Sequence, residues 1–256
     1  NRLFILKVLI IGLGSIAQKH IASILKLVPD TLFYALRSNI NSTNKGNIEN
    51  IYDIKDAPKD IDYIIISNPT SLHASTLNKI IYLNKPIFIE KPIFDKIEEN
   101  VDLVSLIQKN NIKTYIACNL RFHPSIKFLK NFIEKTSKKI NEVNVYCGSY
   151  LPSWRSGTNY TESYSAKKNM GGGVHLDLIH ELDYVIWLFG LPMNYSSKKR
   201  KVSQLQIDSY DYCTYNLEYN LFDVSIILNY YRIEPKREIE IIFDDDIHDC
   251  LEVNLN

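Results

Sequence analysis

Residues 7–20 read KVLIIGLGSIAQKH, an apolar run that enters a GxGxxA turn and opens directly into a helical pattern. Few local patterns restrict a fold as tightly. Gly12 permits a sharp turn, Gly14 lets the main chain approach a bulky anion, and Ala17, nearly as small as the glycine usual at that place, lets the following helix pack on the strand. Unpaired N–H groups and the helix dipole at Gly14, Ser15 and Ile16 favour a phosphate there. Glycines also serve ordinary turns. Here a strand precedes them and a helix runs on to about Leu27, so the pyrophosphate of a dinucleotide is the expected ligand.

The 256 residues, 45% of them hydrophobic, suffice for two domains or one large one. Lysine plus arginine (30) nearly balances aspartate plus glutamate (29), so no global field recruits nucleic acid or an anionic membrane, and neither is an expected partner. Cys118, Cys147, Cys213 and Cys250 are scattered and form no CxxC, which argues against a disulfide scaffold or a zinc site and fits a reducing cytoplasm. No apolar run approaches ~18 residues, and the first residues lack the charged-then-apolar order of a signal peptide. A cytoplasmic protein without a metal is expected.

Through the first half, apolar runs (VLII, LFYAL, DYIIIS, KPIFIE, TYIAC) alternate with helical stretches such as HASTLNKIIYLN and KIEENVDLVSLIQKNN. Such alternation predicts parallel strands with crossover helices, a doubly wound α/β sheet. After about Leu120 the pattern changes: a helix (SIKFLKNFIEKTSK), a strand (INEVNVYCGSY), a polar aromatic loop to Met170, one helix over 174–189, then strands DYCTYNLEY, DVSIILNYY and REIEIIFD joined by short turns. Those turns predict a mainly antiparallel sheet. The division expected is therefore 1–120, dinucleotide-binding, and 121–256, an α+β domain for substrate and oligomerisation. The final CLEVNLN reads as the middle of a strand. A truncated sheet is expected, with apolar surface near Leu251 and Val253.

The ordered set GLGSIA, SNPTSLH (67–73), EKP (90–92), NLRFHP (119–124) and GGGVHLDLIHELD (171–183) resembles the glucose–fructose oxidoreductase, inositol dehydrogenase and rhizopine-catabolism (Gfo/Idh/MocA) family over nearly the whole chain. The resemblance implies an N-terminal Rossmann domain for NAD(P), an open-faced sheet domain for a sugar or cyclitol, and association into homo-oligomers. It also implies that Lys91 hydrogen-bonds the reacting hydroxyl, that Asn68, Pro69 and Thr70 lie against the nicotinamide ribose with Glu90 nearby, and that Arg121 and His123 lie near the nicotinamide. His73 matches a family position but equally suits a helix start; Arg121 equally suits tying two domains together. Lys91 has chemistry of its own. Oxidising an alcohol requires loss of a proton as hydride leaves, and a partly buried lysine is a workable acid and base. Lysines are mostly exposed, yet the carboxyl end of a parallel strand borders the crevice where such sheets bind ligands.

In GGGVHLDLIHELD, Asp177 and His180 stand three apart and Asp177 and Glu181 four apart, so one uninterrupted helix would put all three on a shared face. Many family members instead read DxGxH, which leaves His180 and Glu181 as rivals for the family histidine's place. His180 is preferred, because imidazole exchanges a proton near neutral pH and Asp177 could orient it. An acid-rich helix start, with His180 merely exposed, is the plain alternative. His175 is read as a partly buried histidine or a substrate contact, and Asp183 as a structural acceptor on another face. The loop LPSWRSGTNYTESYSAKKN carries Trp154, Arg155, Tyr160, Tyr164, Lys167 and Lys168, aromatic and cationic groups suited to a nucleotide-activated or acidic sugar. Its wording resembles family members encoded among surface-glycan genes.

The second strand ends in Arg37 and Ser38, 23 residues after Gly14, with no acid to grip a ribose. NADP is therefore favoured over NAD. The expected activity is hydride transfer between nicotinamide and a secondary alcohol or ketone of a sugar or nucleotide-sugar. The alternatives are a free cyclitol or sugar as substrate, or a dinucleotide-binding regulator without turnover.

Overall fold

The computed structural model describes residues 5–41, 46, 48–96, 100–244 and 250–255. Two compact units divide the chain, Asn1–Ala117 and Cys118–Asn256.

In the first unit, β1 (Lys7–Ile11) leads into α1 (Ser15–Leu27), followed by β2 (Leu32–Leu36), β3 (Ile48–Ile51), β4 (Tyr63–Ile66), α2 (His73–Ile80), β5 (Ile87–Ile89), α3 (Val101–Lys109) and β6 (Thr114–Ile116). All six strands are parallel, in the order β3-β2-β1-β4-β5-β6. Apolar runs form these strands because both faces are covered. Val8, Ile10 and Phe33 pack with Ala17 and Ile21 of α1 on one side; Leu9, Ile64 and Ile66 pack with Leu77, Ile80, Leu103 and Ile107 of α2 and α3 on the other. The doubly wound expectation is met. One strand went unforeseen: β3 is four residues at an edge, IENI, too short and polar to announce itself. The helix expected over 96–111 is described as Val101–Lys109, and its residues 97–99 lie outside the described set.

In the second unit, α4 (Pro124–Lys135) precedes β7 (Ile140–Tyr150), a loop of single 3₁₀ turns, α5 (Val174–Asp177), α6 (Ile179–Phe189), β8 (Asn194–Arg200), β9 (Tyr212–Glu218), β10 (Asp223–Asn229), β11 (Tyr231–Phe243) and β12 (Cys250–Asn254). The sheet order is β12-β11-β7-β10-β9-β8, antiparallel except where β10 runs parallel to β7. Alternating residues (Val143, Val145, Leu217, Val224, Ile226, Ile239, Ile241) meet Ile126, Leu129, Val174, Tyr184, Val185 and Leu188 of the helices in one core. Leu251 and Val253 are half-buried against that core rather than bare. β8 was missed because all seven of its residues are exposed, leaving no apolar alternation to read; lysines on an edge strand also discourage further pairing. The single helix expected over 174–189 is two helices, broken at Leu178.

Candidate functional site

At the carboxyl ends of β1, β2 and β4 a cavity of about 670 Å³ is lined by Gly12, Leu13, Arg37, Ser38, Tyr52, Asp53, Asn68, Pro69, Leu72, Ser75, Thr76 and Lys79. It lies where the strand order reverses, between β1 and β4, the place at which open parallel sheets bind ligands. Gly12 holds φ +94°, and a Cβ there would stand 2.3 Å from Asn68 N. Glycine is thus demanded by the close approach of two loops, which Ser67 Oγ reinforces by donating to Gly12 O (2.8 Å). Gly14 is different. Among the described residues a Cβ on it meets nothing within 4 Å, and as the N-cap of α1 it offers no side-chain cap; Gly14, Ser15 and Ile16 are all exposed. Ala17 is fully buried, as close helix–strand packing requires. An anion therefore has both room and donors at this helix start.

Asn68 Nδ2 donates to Thr76 Oγ1 (2.8 Å), while its Oδ1 is buried without a hydrogen-bond partner among the described residues, an acceptor suited to a ligand hydroxyl. Thr70 is buried. Arg37 Nη1 donates to Asn50 Oδ1 (3.3 Å) on the cavity rim. Lys91 is half-buried directly after β5 and joined to Pro92 by a cis peptide. His73 is fully buried, with Nδ1 3.0 Å from Pro92 O and 3.2 Å from Ile93 O and Nε2 2.9 Å from Asn68 O. It clasps the Asn68 loop to the turn carrying Lys91. Burial holds its pKa below the usual histidine value, opposed by those three carbonyls. His20, which the motif reading passed over, lies three residues after Ala17 on α1, and its Nε2 donates to Glu90 Oε1 (2.6 Å).

In the second unit a break at Leu178 places Asp177 at the end of α5 and His180 and Glu181 in the first turn of α6. Asp177 and Glu181 are buried, whereas His180 is half-buried. Asp177 Oδ2 accepts a 2.5 Å hydrogen bond from the fully buried Tyr230 hydroxyl, a partner 53 residues away that no motif announces. Burial and the Asp177 charge both raise the Tyr230 and Tyr164 phenols. Glu181 points into the sheet. Arg237 Nε lies 2.7 Å from its Oε1 and donates to Cys147 Sγ (3.3 Å). Burial pushes the Glu181 carboxyl above its usual range, against the pull of Arg237, and pushes the Cys147 thiol up to about 12. Arg121 forms a two-pronged pair with Asp183, Nε to Oδ2 at 2.9 Å and Nη2 to Oδ1 at 2.5 Å, which gives Asp183 its acceptor role.

The loop before α5 is knitted rather than loose. Trp154 Nε1 donates to Ser149 Oγ (2.8 Å) and its ring meets Tyr230 edge-on at 5.3 Å. Arg155 lies over the Tyr164 ring (5.5 Å), and Tyr160 Oη accepts from Gln206 N (3.2 Å). Trp154 and Arg155 stay exposed. His175 meets Tyr210 edge-on at 5.6 Å, over which Lys168 lies at 5.3 Å. Burial, then Lys199 and Lys168, lower the His175 pKa to about 4.

Residues 6–117 match the NAD-binding Rossmann fold of the Gfo/Idh/MocA oxidoreductase family, and residues 136–242 match its C-terminal alpha/beta domain. The chain belongs to this family. The Gfo/Idh/MocA fold is also seen in solved structures at low identity. WlbA dehydrogenase from Bordetella pertussis, in complex with NADH and UDP-GlcNAcA, is 16% identical with a TM-score of 0.83, over 98% of this chain and 78% of that one. GenD2 from gentamicin A biosynthesis, in complex with NAD, is 15% identical (TM-score 0.80; 100% and 74%). Myo-inositol 2-dehydrogenase from Lactobacillus plantarum is 19% identical (TM-score 0.79; 98% and 76%). No curated protein matches at a significant level. Among the described residues no helix is long and apolar enough to cross a membrane.

Proposed function

We propose that this Gfo/Idh/MocA oxidoreductase transfers hydride between nicotinamide and a secondary alcohol or ketone of a sugar, with a nucleotide-sugar the preferred class. The observation that carries the reading is the lysine at the carboxyl end of β5, in a sheet whose Gly14 and cavity suit a dinucleotide. The bound dinucleotide supplies the hydride acceptor or donor. Lys91 Nζ takes the hydroxyl proton in the oxidative direction and returns it in the reductive one. His180, a half-buried imidazole, is the candidate acid/base group of the second unit; Asp177, held by the Tyr230 and Tyr164 phenols, closes the preceding helix two residues before α6 begins. Trp154 and Arg155 offer an exposed aromatic and cationic surface for an anionic, nucleotide-linked sugar, and WlbA with its bound UDP-GlcNAcA supports that class. The wording of the 151–169 loop adds a role in surface-glycan synthesis to this proposal. The fold likeness to myo-inositol 2-dehydrogenase keeps a free cyclitol as the second reading.

For the cofactor, Arg37 and Ser38 on the cavity rim favour NADP through the 2′-phosphate, whereas Asp53 on the same rim favours NAD. Dissociation constants for NADPH and NADH decide between them, and tighter NADH binding rejects the NADP reading. The chemistry is tested by Lys91→Met, which keeps the apolar stem. Nicotinamide absorbance with UDP-sugars and with inositol should fall in rate by ~10²–10⁴-fold at little change in cofactor affinity. Full activity of that variant rejects the mechanism.

A further inference from the structure

The second unit holds a cleft of its own, about 590 Å³, between residues 161–167 of the loop before α5 and residues 201–208 of the connection from β8 to β9. Neither wall is an α-helix or a strand, yet both are fixed. Asp208 N and Ser209 N donate to Ala166 O (3.1 and 3.3 Å), Gln206 N donates to the Tyr160 hydroxyl (3.2 Å), and the buried Ser209 hydroxyl donates to Ser165 O (2.7 Å), so the two loops are tied together. Within the second loop the fully buried Asp211 carboxylate accepts from Val202 N (2.7 Å), Ser203 N (2.9 Å) and Ser203 Oγ (2.5 Å). Walls held this way need little further ordering when a ligand arrives.

Lys167 lines the cleft from one loop and Lys201 from the other, so an anion there meets a cation on each side. Lys201 Nζ also donates to Ser203 O (3.3 Å), which holds its stem along the second loop. The amides of Gln204 and Gln206 and the carboxylate of Asp208, whose Oδ1 accepts from Lys168 N (2.7 Å), add groups that bind hydroxyls. Buried Leu205 and Ile207 give the cleft an apolar part. Among the described residues no aromatic side chain lines it, so it offers no platform for a stacked base. A bare phosphate would leave the amides idle and face Asp208 with nothing to donate. A neutral sugar would leave both lysines idle. A sugar that carries an acid group uses every one of these side chains.

We propose that this cleft binds an anionic saccharide, a sugar bearing a phosphate or a carboxylate, with Lys167 and Lys201 on the acid group and Gln204, Gln206 and Asp208 on the hydroxyls. The site is built wholly from the second unit and stands whether or not Lys91 turns over the same sugar.

The probes are glucose 1-phosphate, glucuronate, glucose and inorganic phosphate, each titrated into the purified full chain and followed by ligand-observed NMR. One of the two anionic sugars should bind about tenfold more tightly than glucose and than phosphate, the worth of a charge-assisted hydrogen bond, and the tighter of the two tells phosphate from carboxylate. Lys167→Met and Lys201→Met should each weaken that sugar about tenfold, while Lys201→Arg, which keeps the charge, should retain it. Saturating NADPH or NADH should not displace the sugar, because the dinucleotide cavity is lined by first-unit residues. Four outcomes overturn the proposal: no binding of either anionic sugar at millimolar concentration, glucose or phosphate binding as tightly as both, displacement by the dinucleotide, or parent-like affinity in either methionine variant. If Lys167→Met does not fold, Lys201→Met, at an exposed position, carries the test. The hydride-transfer reading fails separately. Sugar binding with this pattern but no change in nicotinamide absorbance with any sugar removes that reading alone, and turnover of a sugar without the pattern removes the cleft alone.

Discussion

Glu181 and His180 are adjacent in sequence and opposite in environment. Glu181 is fully buried beside Arg237, so Glu181→Ala leaves a guanidinium in the core without its carboxylate and should cost ~3–5 kcal/mol in urea unfolding. His180→Ala should instead preserve stability and slow turnover by ~10²–10⁴-fold, as loss of an acid/base group does. If Glu181→Ala folds normally and abolishes turnover, the relay belongs to the glutamate. His175 carries a pH dependence. Its pKa falls from 6.5 to about 4 on folding, so between those values the unfolded chain binds more protons, and its contribution is complete above 6.5 and lost as pH falls towards 4. His175→Gln should flatten that limb of a stability–pH curve; an unaltered slope would place the titration elsewhere. Counting three and four residues along the sequence grouped Asp177, His180 and Glu181 on one helix, whereas Asp177 closes α5 and the other two open α6. That count presumes an unbroken helix, and neither the break at Leu178 nor the contact of Asp177 with Tyr230, 53 residues away, is carried by sequence spacing.

The turn between β1 and α1 holds two glycines that do different work, and one methyl group tells them apart. At Gly12 a Cβ would strike the Asn68 main chain in a φ +94° conformation that alanine resists, so Gly12→Ala should destabilise the first unit outright. At Gly14 a Cβ would enter open space, so Gly14→Ala should melt like the parent and yet weaken NAD(P)H binding by intruding where the pyrophosphate approaches. Thermal melts read together with cofactor fluorescence check both, and unimpaired binding by Gly14→Ala would move the phosphates elsewhere. Elements like this one were legible because turn chemistry and two-sided burial both leave marks in the residues themselves. β3 and β8 were not. A short polar edge strand is defined by the neighbour it pairs with, as Ser197 with Tyr215 and Glu49 with Tyr34, and not by its own composition.

Each half of the chain has a core of its own, which is why the change from alternating strand–helix patterns to short-turn strands was readable near residue 120. A homo-oligomer is expected from the family's habit of associating through its open sheet, and a monomer by light scattering at micromolar concentration would reject it. Separate cores also make cofactor binding a local stabiliser. A dinucleotide held at β1, β4 and α1 favours only states in which those elements are folded, by about 2.7 kcal/mol at a hundred times its dissociation constant. Amides of β1, β4 and α1 that exchange through opening of the first unit should therefore slow by up to ~100-fold in hydrogen exchange with a saturating amount of whichever of NADH and NADPH binds more tightly. Amides of β9 and β10, buried in the other core, should gain much less. Equal protection of both sets would mean that the chain opens as one cooperative body, and greater protection of β9 and β10 would put the dinucleotide in the wrong half of the molecule.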